Sequence, residues 1–154
     1  ASAQAAPAPD PDPVKISFVA VRATKGAPST TKKVFEKGLE YVRKDIENLN
    51  YGTFNKISDA TTTIPFGKET TFAINPAESP SYILIVEPTA IDTQGRIVMK
   101  TKVMMKKKVK QGEKITVKTV KAMDTILKMA PEKKVNLGGL KLDNGDLIIV
   151  LSVD

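Results

Sequence analysis

Lysine is the residue type whose number and spacing most suggest chemistry in this chain. The segment Lys100–Lys121 holds nine lysines and a single acid, Glu113, so it carries a charge of +8 while the whole chain carries +7. The excess charge therefore lies in one segment. Lysines on one surface neutralise phosphates or steer an acidic protein into contact, because each ammonium group is a compact point charge. The sequence thus predicts a local basic surface.

The alternation of side chains across a β-strand divides this segment into an apolar face and a lysine face. After the turn at Gln111 and Gly112, we expect Ile115 and Val117 to continue the apolar face and Lys118 to lie on the lysine side. The apolar series on the first strand is Ile97, Met99, Val103 and Met105. This lysine face either meets an acidic neighbour or is a solvated face whose like charges discourage aggregation. The candidate partner-binding lysines are Lys100, Lys102, Lys106, Lys108, Lys110 and Lys118.

Several kinds of catalytic and metal chemistry are excluded by composition. The chain has no cysteine and no histidine, which removes disulfides, thiolate nucleophiles, cysteine-based metal sites and the usual proton shuttle near neutral pH. The Asn-Gly of Leu142–Asp146 predicts a hairpin turn, and Asn136–Leu140 predicts a bulge. We expect no enzyme, no cofactor and no metal site. A lysine-based enzyme or a carrier of a small ligand stays an alternative.

The elements that must position the lysines are predicted to form an α+β fold. Val14–Ala23 is apolar on both faces, which is typical of a central strand. Residues 32–50 predict a helix packed on the sheet. Glycine, asparagine and proline then recur at hairpin intervals, which favours an antiparallel β-meander whose other face is open or meets a partner. The apolar stripe of the helix is Phe35, Leu39, Val42, Ile46 and Leu49.

The length of 154 residues predicts one domain over residues 14–154, preceded by a Pro/Ala/Asp-rich extended arm over residues 1–13. Prolines favour extended backbone, so Pro7, Pro9 and Pro11 are candidates for contact with a neighbouring subunit. The apolar runs are shorter than the ~20 residues of a membrane span. The small residues at the start are similar to a signal-peptide cleavage site and predict an exported protein. A chain trimmed at that point explains the same start.

The order of segments resembles that of small exported α+β proteins of planctomycetes and related bacteria. The matching parts are "VKISFVAVRATK", "YGTFNKIS", "FGKETTFAI", "LGGL" and "GDLIIVL". In size, lysine content and lack of catalytic residue types, the chain is also similar to the auxiliary subunits that link nitrite oxidoreductase into tubules in anammox organisms. This resemblance implies an assembly role in the periplasm or anammoxosome lumen, with haem, molybdenum and iron–sulfur chemistry in partner subunits.

The function predicted from the sequence is that of a non-catalytic structural subunit. It would mediate protein–protein contacts in a larger complex, which forms filaments or tubules, with larger acidic subunits or further copies of itself as partners. The alternative is a polyanion- or nucleic-acid-binding module that uses the lysine-rich hairpin. Nucleic acid is the less expected partner, because no aromatic residue occurs from Gly95 to Asp154 and the hairpin has no arginine.

Overall fold

The computed structural model describes residues 12–25 and 33–154 of the chain. These residues form nine strands and one short helix, α1, at Arg43–Ile46. The strands are β1 (Val14–Thr24), β2 (Val34–Phe35), β3 (Thr53–Ile64), β4 (Thr70–Ala73), β5 (Ser81–Ile91), β6 (Ile97–Gln111), β7 (Lys114–Met129), β8 (Lys134–Lys141) and β9 (Asp146–Val153).

The strands form two sheets that face each other. One sheet has five strands in the order β2-β3-β1-β9-β8, and the other has four in the order β4-β5-β6-β7. Phe18 on β1 and Leu151 on β9 belong to the same buried cluster as Leu84 on β5 and Met99 on β6. Because one core contains side chains from both sheets, the architecture is a β-sandwich.

The prediction that Val14–Ala23 forms a central strand is confirmed. β1 pairs with β3 on one side and with β9 on the other. Phe18 and Ala20 face the core between the sheets, whereas Val19 and Val21 lie in a second buried cluster on the opposite face. Burial on both faces explains why this segment reads as an almost continuous apolar run.

The predicted helix over residues 32–50 is wrong, although its apolar stripe does pack on the five-stranded sheet. Leu39, Val42 and Ile46 are fully buried there. The backbone, however, forms mainly turns with i→i+3 hydrogen bonds, such as Val42 N to Leu39 O at 3.1 Å and Leu49 N to Ile46 O at 3.0 Å. Gly38 has a φ of 101°, which stops a helix from continuing through that position.

Phe35 shows what replaces the start of that helix. It lies in β2, which runs parallel to β3, and its ring stacks on that of Phe54 with centroids 4.6 Å apart. Pairing with β3 therefore competes successfully with the weak helix propensity of a glycine-containing segment. The five apolar positions identify a buried stripe correctly but not its backbone conformation.

The α+β fold class is likewise wrong, because the described residues are nearly all β and no regular helix packs on a sheet. The sheet face that was expected to be open or to meet a partner is covered by the chain's own second sheet. The turn and the bulge near the end of the chain were predicted correctly. Gly145 closes the turn after β8, and β8 contains a bulge between Leu137 and Leu140.

No helix in the described part of the chain has the length and apolar character needed to cross a bilayer. The predicted arm lies outside the described residues except for its last two positions, Asp12 and Pro13. Pro7, Pro9 and Pro11, the candidate contact residues of the arm, are therefore outside them as well.

Candidate functional site

The lysine-rich segment forms a long β-hairpin of β6 and β7. Gln111 pairs with Lys114, so the strands are joined by a two-residue turn, Gly112–Glu113. Gly112 has a φ of 65°, and glycine with positive φ at the first turn position is typical of a type II′ turn. The register of the hairpin follows from this turn.

The hairpin has a proximal half inside the sandwich and a distal half that projects from it. β5 accompanies β6 only as far as Lys106, which pairs with Ser81. Beyond that pair, β6 and β7 pair only with each other in the described residues, and we call Lys107–Lys118 the distal ribbon. Every residue from Lys110 to Ala122 is exposed, which shows how far the hairpin leaves the core.

Five of the six predicted lysines share one face of β6. Met99 and Val103 are buried between the sheets, so the alternate positions point outward. We call this outward set the lysine face. Its members are Lys100, Lys102, Lys106, Lys108 and Lys110. The predicted grouping of these five side chains is confirmed.

The predicted placement of the β7 residues is wrong. Ile115 pairs with Lys110 and Val117 pairs with Lys108, and directly paired residues lie on the same side of a sheet. The two aliphatic residues therefore lie beside the lysine face and are 67% and 60% exposed. Lys118 pairs with Lys107 and lies on the opposite side. The correct placement could have been predicted from the sequence, because a two-residue turn at Gly112–Glu113 pairs odd positions of β6 with even positions of β7.

The charges on the lysine face are balanced only near the body of the protein. Asp124 lies opposite Lys102 and forms an ion pair with Lys121 at 3.0 Å. The hydrogen bond from Lys121 lowers the pKa of the Asp124 carboxyl. Within residues 12–25 and 33–154, none of the five lysines forms an ion pair with a carboxylate. In these ranges, only Lys100 and Lys102 have an acidic residue on the neighbouring strand directly opposite, Glu87 and Asp124 respectively. The uncompensated positive charge therefore increases toward the distal ribbon.

A loop between β4 and β5 supports the base of the distal ribbon. The Ser79 hydroxyl accepts a hydrogen bond from the backbone N–H of Lys108 at 3.2 Å. A small cavity of about 150 Å³ lies between this loop and the outer side of the hairpin, with Glu78, Lys106 and Val117 among its lining residues. The loop thus fixes where the ribbon begins to separate from the sandwich.

Asn75 holds that loop in place. Its Oδ1 accepts the Tyr82 N–H at 2.7 Å, and its Nδ2 donates to a Glu78 oxygen at 2.7 Å. Arg22, from the opposite sheet, also donates to Glu78. The bonds from Asn75 first, and from Arg22 next, lower the pKa of Glu78. No local pattern in the sequence shows that Arg22 on β1 will meet this loop.

A second polar cluster lies at the far turn of the five-stranded sheet. The Tyr51 hydroxyl donates to Asp146 at 2.6 Å, and Lys141 lies 3.3 Å from the same carboxylate. The Tyr51 bond, and then Lys141, lower the pKa of Asp146, while the same hydrogen bond raises the pKa of Tyr51. The carboxylate thus has a hydrogen-bond donor at one oxygen and an ammonium group at the other. This arrangement anchors the turn predicted from Asn-Gly.

The donors of the described residues do not form a metal-binding group, since no three acidic side chains come together there. Two surface features of the described residues bear on function: the lysine face, and the outer edge of β7, the last strand of its sheet. In fold and surface, the protein is a β-sandwich with a projecting basic ribbon. No protein-family model, no curated protein and no solved structure matches the chain.

Proposed function

We propose that this protein is a non-catalytic assembly module that docks on an acidic surface of a partner protein through the lysine face. The observation that carries the proposal is the arrangement of five lysines on one side of β6, with the exposed aliphatic side chains of Ile115 and Val117 beside them. Lysines steer association and reject wrong partners, and aliphatic groups supply apolar area to bury.

The body of the sandwich adds apolar surface to the same side. Ile83 on β5 pairs with Met104 on β6, and both are half-buried on the outer side of the four-stranded sheet. Ile126 on β7, opposite Lys100, is 63% exposed. A surface of aliphatic residues between lysines suits a protein partner with carboxylates around an apolar patch.

The alternative partner is a polyanion such as nucleic acid, and the shared face of the five lysines favours it. Such a face can neutralise several phosphates at once. The hairpin, however, has neither aromatic rings for base stacking nor arginine for base readout, and Arg96 beside it is paired with Asp92 at 2.8 Å. The exposed aliphatic residues also have no role against phosphates. We therefore favour the protein partner.

The proposal extends to the larger complex in which the module works. The resemblance to subunits that link nitrite oxidoreductase into tubules makes that complex the first candidate, with export to the periplasm or anammoxosome lumen. The α+β fold implied by the resemblance to small planctomycete proteins is not the fold of the described residues, which are nearly all β. The proposal therefore depends on the lysine face.

The experiment compares two triple variants with equal charge change. Lys106→Glu/Lys108→Glu/Lys110→Glu reverses the distal part of the lysine face. Lys37→Glu/Lys44→Glu/Lys68→Glu reverses exposed lysines elsewhere. Association with the copurifying partner is measured at several salt concentrations. We expect the first variant to weaken association by about tenfold or more and the control to retain it.

Equal weakening by both variants would show that net charge, and not this face, drives binding. Single-stranded oligothymidine serves as the polyanion probe in the same assay. If it binds the protein more tightly than the partner does, with a steep salt slope that the first triple variant flattens, the alternative function replaces the proposed one.

A further inference from the structure

The outer edge of β7 has no strand beside it in the part of the chain that the structure describes. β7 is the last strand in the four-stranded sheet and, at 16 residues, the longest strand of the described chain. Across residues 12–25 and 33–154, no other strand pairs along this edge. An edge strand presents a row of unpaired N–H and C=O groups, which is a template for one more strand.

Among the described residues, no third strand flanks the distal ribbon. It consists of two strands, and a two-stranded hairpin is only marginally stable in water. Ile115 and Val117, two β-branched residues with a preference for packed strands, are mostly exposed in it. A third strand along β7 would cover part of these side chains and pair the free backbone groups.

Between Lys114 and Lys118, the side chains along the edge alternate, with aliphatic residues on one side and lysine or threonine on the other. Ile115 and Val117 point to the outer side, where the lysine face lies one strand further in. Lys118, beside Lys107, and Lys114, beside Gln111, point to the inner side. An added strand would therefore place one set of its side chains against aliphatic groups and the other set against ammonium groups.

We infer that the free edge of β7 takes up an extended segment of a partner protein, in which acidic residues alternate with aliphatic ones, as a fifth strand of the four-stranded sheet. Backbone hydrogen bonds hold the segment, and the alternating side chains select it. The inference rests on the proposed function, because it states how an acidic partner engages the hairpin.

A second copy of the chain is the wrong occupant for this edge. Pairing β7 with β7 would bring together two strands that each carry Lys114, Lys118, Lys121 and Lys128. Like charges in cross-strand contact destabilise a sheet, and edge lysines are a common means by which proteins avoid such self-association. The same lysines attract a strand that carries carboxylates.

The test uses the full chain and a synthetic peptide of alternating valine and glutamate, as long as Lys114–Lys121. Hydrogen exchange of the backbone amides is followed by NMR without and with peptide. At a peptide concentration of about one hundred times its Kd, we expect exchange of alternate β7 amides between Lys114 and Lys121 to slow by up to about one hundredfold. The β6 amides that already bond to β7 provide the internal control.

Two control peptides separate the contribution of the acidic side chains from that of the backbone hydrogen bonds. In the first, lysine replaces glutamate, and we expect no binding. In the second, every amide is N-methylated, which keeps each side chain and charge but removes the N–H donors, and we expect loss of β7 protection. A variant with Lys114→Glu/Lys118→Glu is expected to reject the acidic peptide and to accept the lysine peptide.

Three outcomes would overturn the inference. The first is binding of the N-methylated peptide as tightly as the unmodified one, and the second is binding without slowed β7 exchange. In both cases the lysine face, and hence the proposed function, still stands. The third is self-association of the free chain, seen by analytical ultracentrifugation together with protected β7 amides, which would make a second copy the occupant. Failure of the proposed function shows differently, as partner binding unaffected by reversing the lysine face.

Discussion

The proximal and distal halves of the β6–β7 hairpin have the same alternating sequence pattern but very different surroundings. In the proximal half, Met99 and Val103 are completely buried. In the distal half, Ile115 and Val117 are mostly exposed, on the side that carries the lysines. The five-stranded sheet lies across from Met99 and Val103, whereas Ile115 and Val117 are on the outer side of the hairpin, which that sheet does not face. Alternation therefore defines two sides of a strand, whereas burial depends on what faces each side.

The largest difference in stability is expected when one apolar side chain is truncated in each half. Met99→Ala is expected to lower the free energy of unfolding by about 2–5 kcal/mol, because it removes core contacts and leaves a cavity. Ile115→Ala is expected to change it by less than about 0.5 kcal/mol. Urea denaturation of both variants measures the difference. Similar losses in the two would mean that the distal ribbon is packed as tightly as the body.

Two glycines in turns offer the next comparison. A Cβ at Gly145, in the turn before β9, would lie 2.6 Å from the Ala23 carbonyl oxygen, and its φ is 92°. Gly145→Ala should therefore destabilise the protein by about 2–4 kcal/mol, from backbone strain together with the clash. Gly112 at the ribbon tip has a φ of 65° and open space around it.

For Gly112→Ala we expect only the backbone strain, a loss of about 1–2 kcal/mol, and the loss should be smaller if the tip frays. Thermal or urea unfolding of both glycine variants measures the difference. If Gly112→Ala destabilised the protein as much as Gly145→Ala, the ribbon would be more constrained than its exposure indicates.

The acid dependence of stability tests the loop that supports the ribbon. The pKa of Glu78 is below its ordinary value of 4.5, so the carboxylate stabilises the folded state above pH 4.5. That contribution is lost as the pH falls from 4.5 through the lower pKa of the folded state. Glu78→Gln should therefore flatten the dependence of unfolding free energy on pH in this window. Glu113→Gln at the ribbon tip is the matched control, and equal effects of the two changes would contradict the role assigned to Glu78.

A small effect on stability is also expected from the lysines themselves. Lys106→Glu/Lys108→Glu/Lys110→Glu should change the free energy of unfolding by less than about 1 kcal/mol, because exposed charges contribute little and are screened by salt. Denaturation at low and high salt measures this. A large destabilisation would show that these lysines make contacts that stabilise the folded state, so that the distal half would not be the loosely packed half of the hairpin.

Much of the candidate site could be predicted from local pattern. The alternation along β6 placed its five lysines on one side, and Gly112 marked the turn. Ile115 was predicted on the wrong side of the sheet, because the alternation along β6 was continued into β7 as if odd positions paired with odd positions. A two-residue turn pairs odd with even positions. The contact of Arg22 with Glu78 could not be predicted, since the two residues are 56 positions apart and no local pattern links them.

The sequence by itself determined the turns, the buried central strand, the stripe of residues from Phe35 to Leu49 and the concentration of charge in one segment. These depend on φ preferences, side-chain periodicity and composition, all of which are local. Only the tertiary structure decided that the stripe folds as turns and a β-strand, and that two sheets close over one core. Long-range strand pairing made that choice, because backbone and apolar contacts between distant segments outweigh weak helix propensity.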